Sequence, residues 1–118
     1  MGEQRAKAMR PEELADFFVE RANAGDVEGL VALYEPDAVL ALPPGELNIG
    51  TEAIRRAYQR LLADRPRLTP GEQRPALRRG DLALTSTRLT GGGVTVEVAR
   101  RQSDGSWRWA IDQPNVVG

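Results

Sequence analysis

The residues with the clearest chemical potential lie near the C-terminal end, on either side of a short loop. Residues 94–102 and 106–113 have the composition and alternation of β-strands, and Asp104-Gly105 between them is typical of a two-residue hairpin turn. With that turn, Glu97 lies directly opposite Asp112, with Cβ atoms about 5 Å apart. Two carboxyl groups this close repel each other, so in a sheltered site one of them keeps its proton near neutral pH. Glu97 and Asp112 are therefore a candidate catalytic acid/base pair.

The same turn predicts which residues share a face with the two acids. Ala110 is placed opposite Ala99, and Arg108 opposite Arg101, so that small side chains leave a hollow beside the carboxyl groups. Ala110 and Arg108 are accordingly candidate ligand-binding residues. The opposite face carries bulky groups, which we expect either in a dimer interface or in the core, namely Val98, Trp107, Trp109 and Ile111.

A purely structural interpretation of the acid pair fits the sequence as well. Both carboxylates could lie at a solvated rim, or be neutralised by arginines such as Arg108 or Arg88. The acid/base interpretation requires one of the two carboxyl groups to titrate well above its ordinary pKa of roughly 4.

Helices must position this hairpin, and the first half of the chain has the spacing to form them. The first helix is predicted from Pro11, with an apolar stripe that includes Phe18, and it ends at Gly25. Asp26 caps a second helix, which carries Tyr34 on its apolar face and ends at Pro36.

A short strand and a third helix follow before the sheet. The strand covers residues 38–42, and Thr51 caps a helix whose apolar stripe includes Tyr58. Residues 81–90 then form a strand ahead of the C-terminal hairpin. Helices followed by antiparallel strands predict an α+β domain, with the helices on one face of a curved sheet.

Composition limits the function classes. The length of 118 residues predicts a single domain over residues 11–118, after a flexible N-terminus at residues 1–10. The net charge of −1 predicts neither a nucleic-acid nor a membrane partner. The chain contains no cysteine and no histidine, so thiol and imidazole chemistry are excluded, and neither a metal site nor a cofactor is predicted. No signal peptide or membrane span is recognisable, and we expect a cytoplasmic protein.

Four motifs carry a resemblance to a known family across about residues 11–113. They are Ala24-Gly25-Asp26, Leu33-Tyr34-Glu35-Pro36-Asp37-Ala38, Gly50-Thr51-Glu52-Ala53-Ile54 and Asp104-Gly105-Ser106-Trp107-Arg108-Trp109. The chain resembles the nuclear transport factor 2-like superfamily, and within it the small bacterial SnoaL-like proteins. The resemblance implies a cone-shaped domain in which three N-terminal helices wrap a strongly bent, mainly antiparallel sheet around a pocket. It also implies homodimers formed through the outer sheet face, where we expect Trp107, Trp109 and Ile111.

Ketosteroid isomerases belong to the same superfamily, and their site residues can be carried over by position. The position of their general-base aspartate falls on Leu42, and that of their oxyanion-donating tyrosine falls on Phe18. Their supporting tyrosines are kept as Tyr34 and Tyr58, and their second oxyanion acid falls on Glu97. The resemblance therefore implies a similar pocket without steroid-type allylic isomerisation.

The two tyrosines also have a structural interpretation. Because both lie on apolar helix stripes, their hydroxyl groups need buried partners. A carboxyl group in a shared pocket would supply them, and so would backbone carbonyls in an ordinary core. The sequence leaves both open.

We expect, then, a pocket that binds a small apolar or polyketide-like molecule. Asp112 and Glu97 would act on it by acid/base chemistry, with Tyr34, Tyr58, Phe18 and Leu42 around it. Two alternatives remain at this point, a non-catalytic ligand carrier and a dimerisation domain with an incidental cavity.

Overall fold

Within residues 5–116, which the computed structural model describes, three helices and seven strands follow one another. They are α1 (Glu13–Asn23), α2 (Val27–Val31), β1 (Tyr34–Ala41), β2 (Leu47–Ile49), α3 (Thr51–Leu62), β3 (Glu72–Gln73), β4 (Leu77–Arg79), β5 (Leu82–Arg88), β6 (Val94–Arg101) and β7 (Trp107–Val116). None of these described helices is long and apolar enough to span a membrane.

All seven strands join one sheet, which confirms the α+β class. Its strand order is β2-β1-β7-β6-β5-β3, and β4 pairs with β5 as well. Every pairing is antiparallel except that of β1 with β7, so the sheet is mixed and mainly antiparallel. The helices do not form one N-terminal block, because β1 and β2 separate α2 from α3.

The core lies between the helices and one face of the sheet, here called the inner face. Leu14 of α1, Leu30 of α2 and Ile54 of α3 are fully buried against sheet residues such as Leu40. Burying a leucine or isoleucine side chain stabilises a fold by about 1.5–3 kcal/mol, so these contacts fix the helices on the sheet. Hydrophobic burial thus sets the distance between α1 and the sheet, where the cavity described below lies.

The second helix is shorter than the sequence predicts. Asp26 caps it as expected, accepting a hydrogen bond from the Gly29 amide at 3.0 Å, but it ends at Val31. Tyr34 begins β1 instead of lying on the helix, and pairs in parallel with Trp109 of β7. The backbone amide of Trp109 also donates to the Leu33 carbonyl at 2.7 Å, so from this point the backbone pairs with β7 instead of continuing the helix.

The C-terminal hairpin differs from the predicted one in two compensating ways. Its loop has three residues, Ser103 to Gly105, because the Gln102 amide donates to the Ser106 carbonyl and Gly105 adopts a left-handed φ of 88°. This moves the pairing by one residue, so that Ala99 lies opposite Trp109. Ala110 then bulges out of the ladder, and beyond it the predicted register returns. Glu97 lies opposite Asp112, as predicted.

The two tryptophans lie in the shifted part of the hairpin, and their positions therefore differ from the prediction. Trp107 and Trp109 were placed on the outer face together with Ile111, but both are buried on the inner side, within the core. The one-residue shift between the loop and the Ala110 bulge turns them inward. Ile111 lies beyond the bulge and keeps its predicted outer position, 53% exposed.

The described part of the N-terminal segment lies against the domain. Ala8 is buried, and its carbonyl accepts a hydrogen bond from the Trp107 amide at 2.8 Å. Lys7 pairs with Asp104 at 2.8 Å and Arg5 with Asp26 at 2.7 Å. Residues 1–4 of the predicted flexible N-terminus, and residues 117–118 of the predicted domain, lie outside the described residues.

Truncation of Leu40, which is fully buried in β1, tests the core. We expect Leu40→Ala to lower the free energy of unfolding by about 2–5 kcal/mol, because a cavity is left beneath α3. Leu40→Met, which conserves the volume, is the matched control and should cost less than about 1.5 kcal/mol. Urea unfolding followed by tryptophan fluorescence measures both, and equal losses would contradict the described packing.

Candidate functional site

A cavity of about 430 Å³ lies between α1, the end of α3 and the inner face of the sheet. Most of its wall is apolar. Its polar side chains come from α1, from β3 and from the strands β5 to β7. The lining residues are Ala15, Asp16, Phe18, Val19, Glu20, Leu42, Tyr58, Leu61, Leu68, Thr69, Pro70, Gly71, Gln73, Thr87, Leu89, Thr95, Glu97, Trp109, Asp112 and Pro114.

A chain of hydrogen bonds ends at Asp112 on the floor of this cavity. The Tyr34 hydroxyl donates to Asp112 Oδ2. Because that hydroxyl has a single proton, Tyr58, whose oxygen lies 2.5 Å from that of Tyr34, must donate to Tyr34 in turn. All three side chains are buried, so the chain Tyr58 to Tyr34 to Asp112 is shielded from solvent.

Glu97 is the second buried carboxyl group of the floor. It lies directly across the β6–β7 ladder from Asp112, and its Oε1 accepts a hydrogen bond from the Thr85 hydroxyl at 2.7 Å. Glu97 is only 6% exposed and Asp112 only 5%. The predicted juxtaposition of the two acids is therefore confirmed, and they lie in the interior and not at a solvated rim.

Burial changes the acidity of both acids. It raises the pKa of Asp112 to about 8, with repulsion from Glu97 adding to the effect and the Tyr34 hydrogen bond opposing it. Burial likewise raises the pKa of Glu97 above its usual range, although its hydrogen bond from Thr85 favours the ionised form. The pKa values of Tyr34 and Tyr58 are raised well above 10, mainly by burial, so both phenols stay protonated. The pair can thus hold or release a proton near neutral pH.

Three buried polar atoms on the wall make no hydrogen bond among residues 5–116. They are Asp112 Oδ1, the carboxyl oxygen that Tyr34 does not use, the indole Nε1 of Trp109 and the hydroxyl Oγ1 of Thr95. A buried polar atom without a hydrogen bond costs about 1–3 kcal/mol, so such atoms call for an explanation. All three belong to residues that line the cavity.

Four aromatic rings surround these polar groups. Phe18 lies with its ring centroid 5.9 Å from that of Tyr58 and 6.2 Å from that of Trp109. Tyr34 packs behind them, 6.0 Å from Tyr58 and 5.4 Å from Trp109. These spacings are typical of edge-to-face and tilted ring packing, which holds the floor rigid.

The segment at residues 68–73 closes the cavity opposite the helix, and α1 holds it in place. The Asn23 side chain makes two hydrogen bonds to the backbone of Leu68, at 2.9 and 2.8 Å. Gly71 packs so closely on β5 that a Cβ atom there would lie 2.4 Å from the Arg88 carbonyl oxygen, which requires glycine. The neutral Gln73 amide donates to Asp16 of α1 at 3.2 Å and so links the two sides.

Comparison with protein families identifies the chain. A family model described as a SnoaL-like domain matches residues 15–112. The chain belongs to the SnoaL-like family. No functionally curated protein matches its sequence.

Solved structures share the fold at low sequence identity. A candidate calcium/calmodulin-dependent protein kinase type II association domain from Thiobacillus denitrificans is 16% identical, with a TM-score of 0.78 over 95% of this chain and 100% of that one. A ketosteroid isomerase-like protein from Erwinia carotovora atroseptica is 20% identical, with a TM-score of 0.68 over 86% and 88%. An NTF-2 like protein of unknown function from Shewanella oneidensis is 18% identical, with a TM-score of 0.70 over 86% and 92%. These likenesses establish the fold and no activity.

This SnoaL-like domain brings most of the predicted site residues together. Phe18, Leu42 and Tyr58 line the cavity with the two acids. Tyr34 lies behind its floor and acts through its hydrogen bond to Asp112. Within residues 5–116, no group of three or more acidic side chains is arranged to hold a metal ion.

Two predicted ligand-binding residues lie elsewhere. Ala110 is the bulged residue of β7 and does not line the cavity. Arg108 lies in the shifted part of the hairpin and borders a separate small cleft beside Ala8 and Arg21. Both errors follow from the two-residue turn, which assigns the wrong face to residues between the loop and the bulge.

Sequence reasoning missed Trp109 as a cavity residue, together with most of α1. The spacing of Ala15, Phe18 and Val19 is helical and could have identified the cavity side of α1. The segment at residues 68–73 carries no comparable signal, since its position depends on contacts with Asn23 far away in the sequence.

The buried acid pair predicts a specific pH dependence of stability. Asp112 keeps its proton in the fold up to about pH 8, whereas in the unfolded chain it loses it near pH 4. In the window between these values the unfolded chain binds fewer protons than the folded one, so stability falls as the pH rises. The raised pKa of Glu97 acts in the same direction, while Tyr34 and Tyr58, which also face Asp112, stay protonated throughout.

Urea unfolding between pH 5 and pH 8 measures this slope, which a single group limits to about 1.4 kcal/mol per pH unit. Asp112→Asn should flatten it. Carbon-detected NMR of the carboxyl groups gives the pKa values directly. Values below about 5 for both Glu97 and Asp112, close to those of ordinary carboxyl groups, would contradict the expectation.

Proposed function

We propose that this protein binds a small, largely apolar or polyketide-like molecule in the cavity, and that Asp112 and Glu97 exchange a proton with it. The observation that carries the proposal is the buried acid pair on the floor of a mainly apolar cavity. Carboxyl groups facing each other in a dry site cost stability and serve no packing purpose, so a functional use explains their position.

The size and lining of the cavity support ligand binding. Its volume of about 430 Å³ falls within the range of roughly 300–1,000 Å³ typical of small-molecule sites. The unpartnered Trp109 Nε1 is a hydrogen-bond donor, and Asp112 Oδ1 can accept or donate according to its protonation. The ligand we propose therefore combines an apolar body with a polar end that meets Asp112 Oδ1.

Steroid-type isomerisation is not part of the proposal, although one structural neighbour is named ketosteroid isomerase-like. At the positions where the resemblance places the catalytic base and the oxyanion-donating phenol, this chain has Leu42 and Phe18. Both line the cavity, and neither side chain can move a proton or donate a hydrogen bond. This observation favours a second candidate function, a non-catalytic carrier that uses the same cavity.

A thermal-shift screen tests ligand binding. Apolar carboxylates, amines, alcohols, steroids and aromatic polyketides form the panel, and a true ligand at 100 times its Kd should stabilise the fold by about 2.7 kcal/mol. Ala15→Phe adds a ring to the cavity wall and should abolish the shift, while Gln59→Phe on the exposed side of α3 is the matched control. A shift that survives Ala15→Phe would show that the compound binds elsewhere.

Turnover separates the enzyme from the carrier. For a ligand that binds and is converted, Asp112→Asn should lower kcat at saturating ligand by about 10²–10⁴-fold, because the amide cannot exchange the proton. The variant keeps an oxygen that can accept the Tyr34 hydrogen bond, so the floor stays in place. Unchanged kcat would overturn the acid/base role, and ligands that bind without conversion would favour the carrier.

A second proposal concerns the homodimer, for which the outer sheet face offers a specific surface. One apolar residue from each of six neighbouring strands forms a row across this face. The row, here called the outer ladder, consists of Ile49, Val39, Ile111, Val98, Leu84 and Leu77. Leu77 is 66% exposed, and such a continuous apolar patch is unusual for a monomer.

We infer that a second copy of the chain covers the outer ladder. A twofold interface pairs one patch with itself, so the middle of the ladder, at Ile111, would lie near the dimer axis. The name of the Thiobacillus neighbour, an association domain, is consistent with an assembly role for this fold. The buried tryptophans take no part in this interface.

Sedimentation velocity tests the dimer. Wild-type protein should sediment as a dimer at micromolar concentration, and Ile111→Arg should produce a folded monomer, because an unpaired charge cannot be buried at the interface centre. Gln59→Arg, which adds the same charge on α3, should remain dimeric. A monomeric wild type at about 100 μM would contradict the proposal.

A further inference from the structure

The charges around the cavity are all of one sign. Four carboxyl groups line it, from Asp16 and Glu20 at its exposed end and from Glu97 and Asp112 at its floor. Among the described residues that line it there is no lysine or arginine, and the chain has no histidine at all. The chain nevertheless contains 16 lysines and arginines, so this is not a consequence of composition.

Seven acids elsewhere in the described residues have cationic partners. Arg55, for example, contacts both Glu28 and Glu52, and Arg100 contacts Glu35. None of the four cavity carboxyl groups takes part in an ion pair within residues 5–116. Asp16 receives only the neutral Gln73 amide, and Glu97 receives the Thr85 hydroxyl. The cavity therefore brings together four carboxyl groups that form no ion pair within the described residues.

The aromatic rings of the cavity also favour a cationic ligand. Phe18, Tyr58 and Trp109 all line the wall, and their centroids lie about 6 Å apart in adjacent pairs. The faces of aromatic rings attract cations, by about 0.5–2 kcal/mol for each favourable contact, and aromatic cages are the usual means of binding substituted ammonium groups. Carboxylates next to such rings add a formal counter-charge.

An unpartnered atom marks where the cationic group would lie. Asp112 Oδ1 is fully shielded and has no hydrogen-bond donor within residues 5–116, since Tyr34 uses only Oδ2. An N–H donor from a ligand would satisfy it. When one acid of the pair is ionised, the pair carries one negative charge, which one ammonium group neutralises. If the second acid also ionised, the same ammonium group would offset the repulsion between the two carboxylates.

We propose that the ligand of this cavity is a protonated amine on an apolar body, with its ammonium group between the Asp112–Glu97 pair and the aromatic rings. The body lies along Leu42, Leu61 and Leu68. The exposed acids Asp16 and Glu20 attract the cation to the entrance. This inference rests on the proposed function, because it requires that the cavity binds a ligand.

Three probes of equal length test the charge of the ligand. They are 4-phenylbutylamine, 4-phenylbutan-1-ol and 4-phenylbutanoate, which are cationic, neutral and anionic at pH 7. Calorimetry should give a Kd for the amine at least about tenfold lower than for the alcohol, and the carboxylate should bind weakest. The alcohol isolates the contribution of the apolar body.

Variants then assign the effect to the cavity acids. Asp112→Asn and Glu97→Gln should each remove most of the preference for the amine and leave the affinity for the alcohol within about twofold. Glu20→Gln is exposed, so it does not endanger folding, and it should weaken amine binding about twofold at low salt. Asp37→Asn removes an exposed charge outside the cavity and is the control that should change nothing.

The pH dependence of binding supplies a second readout. Amine affinity should rise about tenfold from pH 5 to pH 8, as Asp112 and Glu97 lose protons, whereas alcohol affinity should not. The other titratable groups that face the pair, Tyr34 and Tyr58, stay protonated over this range.

The outcomes separate this inference from the proposed function. An alcohol that binds as tightly as the amine, or an amine preference that survives Asp112→Asn and Glu97→Gln, overturns the cationic ligand and leaves cavity binding intact. Hits from the broader screen that are only neutral or anionic do the same. Failure of every compound of any charge to bind overturns both proposals.

Discussion

The direct apposition of Glu97 and Asp112 across the β6–β7 ladder is the constraint on which the rest of this structure depends. Two buried acids that face each other on neighbouring strands destabilise the fold, unless nearby groups offset the repulsion between them. Here Tyr34 and Tyr58 donate toward one carboxyl group and Thr85 toward the other, while the low polarity of the site favours protonation. Each of these contacts comes from a different strand or helix, so the acid pair links β1, α3 and β5 to the hairpin.

The sequence predicted this apposition through a hairpin that is wrong in detail. The three-residue loop shifts the strands by one position, and the bulge at Ala110 shifts them back. A two-residue turn without a bulge gives the same partner for Glu97, but it reverses the facing of Trp107 and Trp109. Loop type and bulge position depend on local hydrogen bonds, such as that from the Ser106 amide to Asp104, which alternation of residue types does not reveal.

Helix ends and the cavity wall differ in how far they could be predicted. The Asp26 cap and the left-handed Gly25 are local features, and both are found where the sequence placed them. The end of α2 was missed because Tyr34 pairs with Trp109, a partner 75 positions later in the chain. The segment at residues 68–73 likewise depends on a distant residue, Asn23. Short-range signals therefore fixed the fold class, and long-range pairing decided the composition of the cavity.

The buried carboxyl groups of the cavity lie on one side of it, and this distribution links the acid pair to the choice of ligand. Phe18 and Leu42 give the wall apolar side chains at the two positions where the resemblance to ketosteroid isomerases implies a donor and a base. Apart from the exposed acids of α1, the carboxyl groups of the cavity are confined to β6 and β7, beside the unpartnered Trp109 Nε1. In the proposed complex the bound molecule directs its polar end toward this part of the sheet and its apolar body toward Leu61 and Leu68. Because the buried atoms without hydrogen bonds lie on β6 and β7, we expect the chemistry of this end to determine which molecules bind.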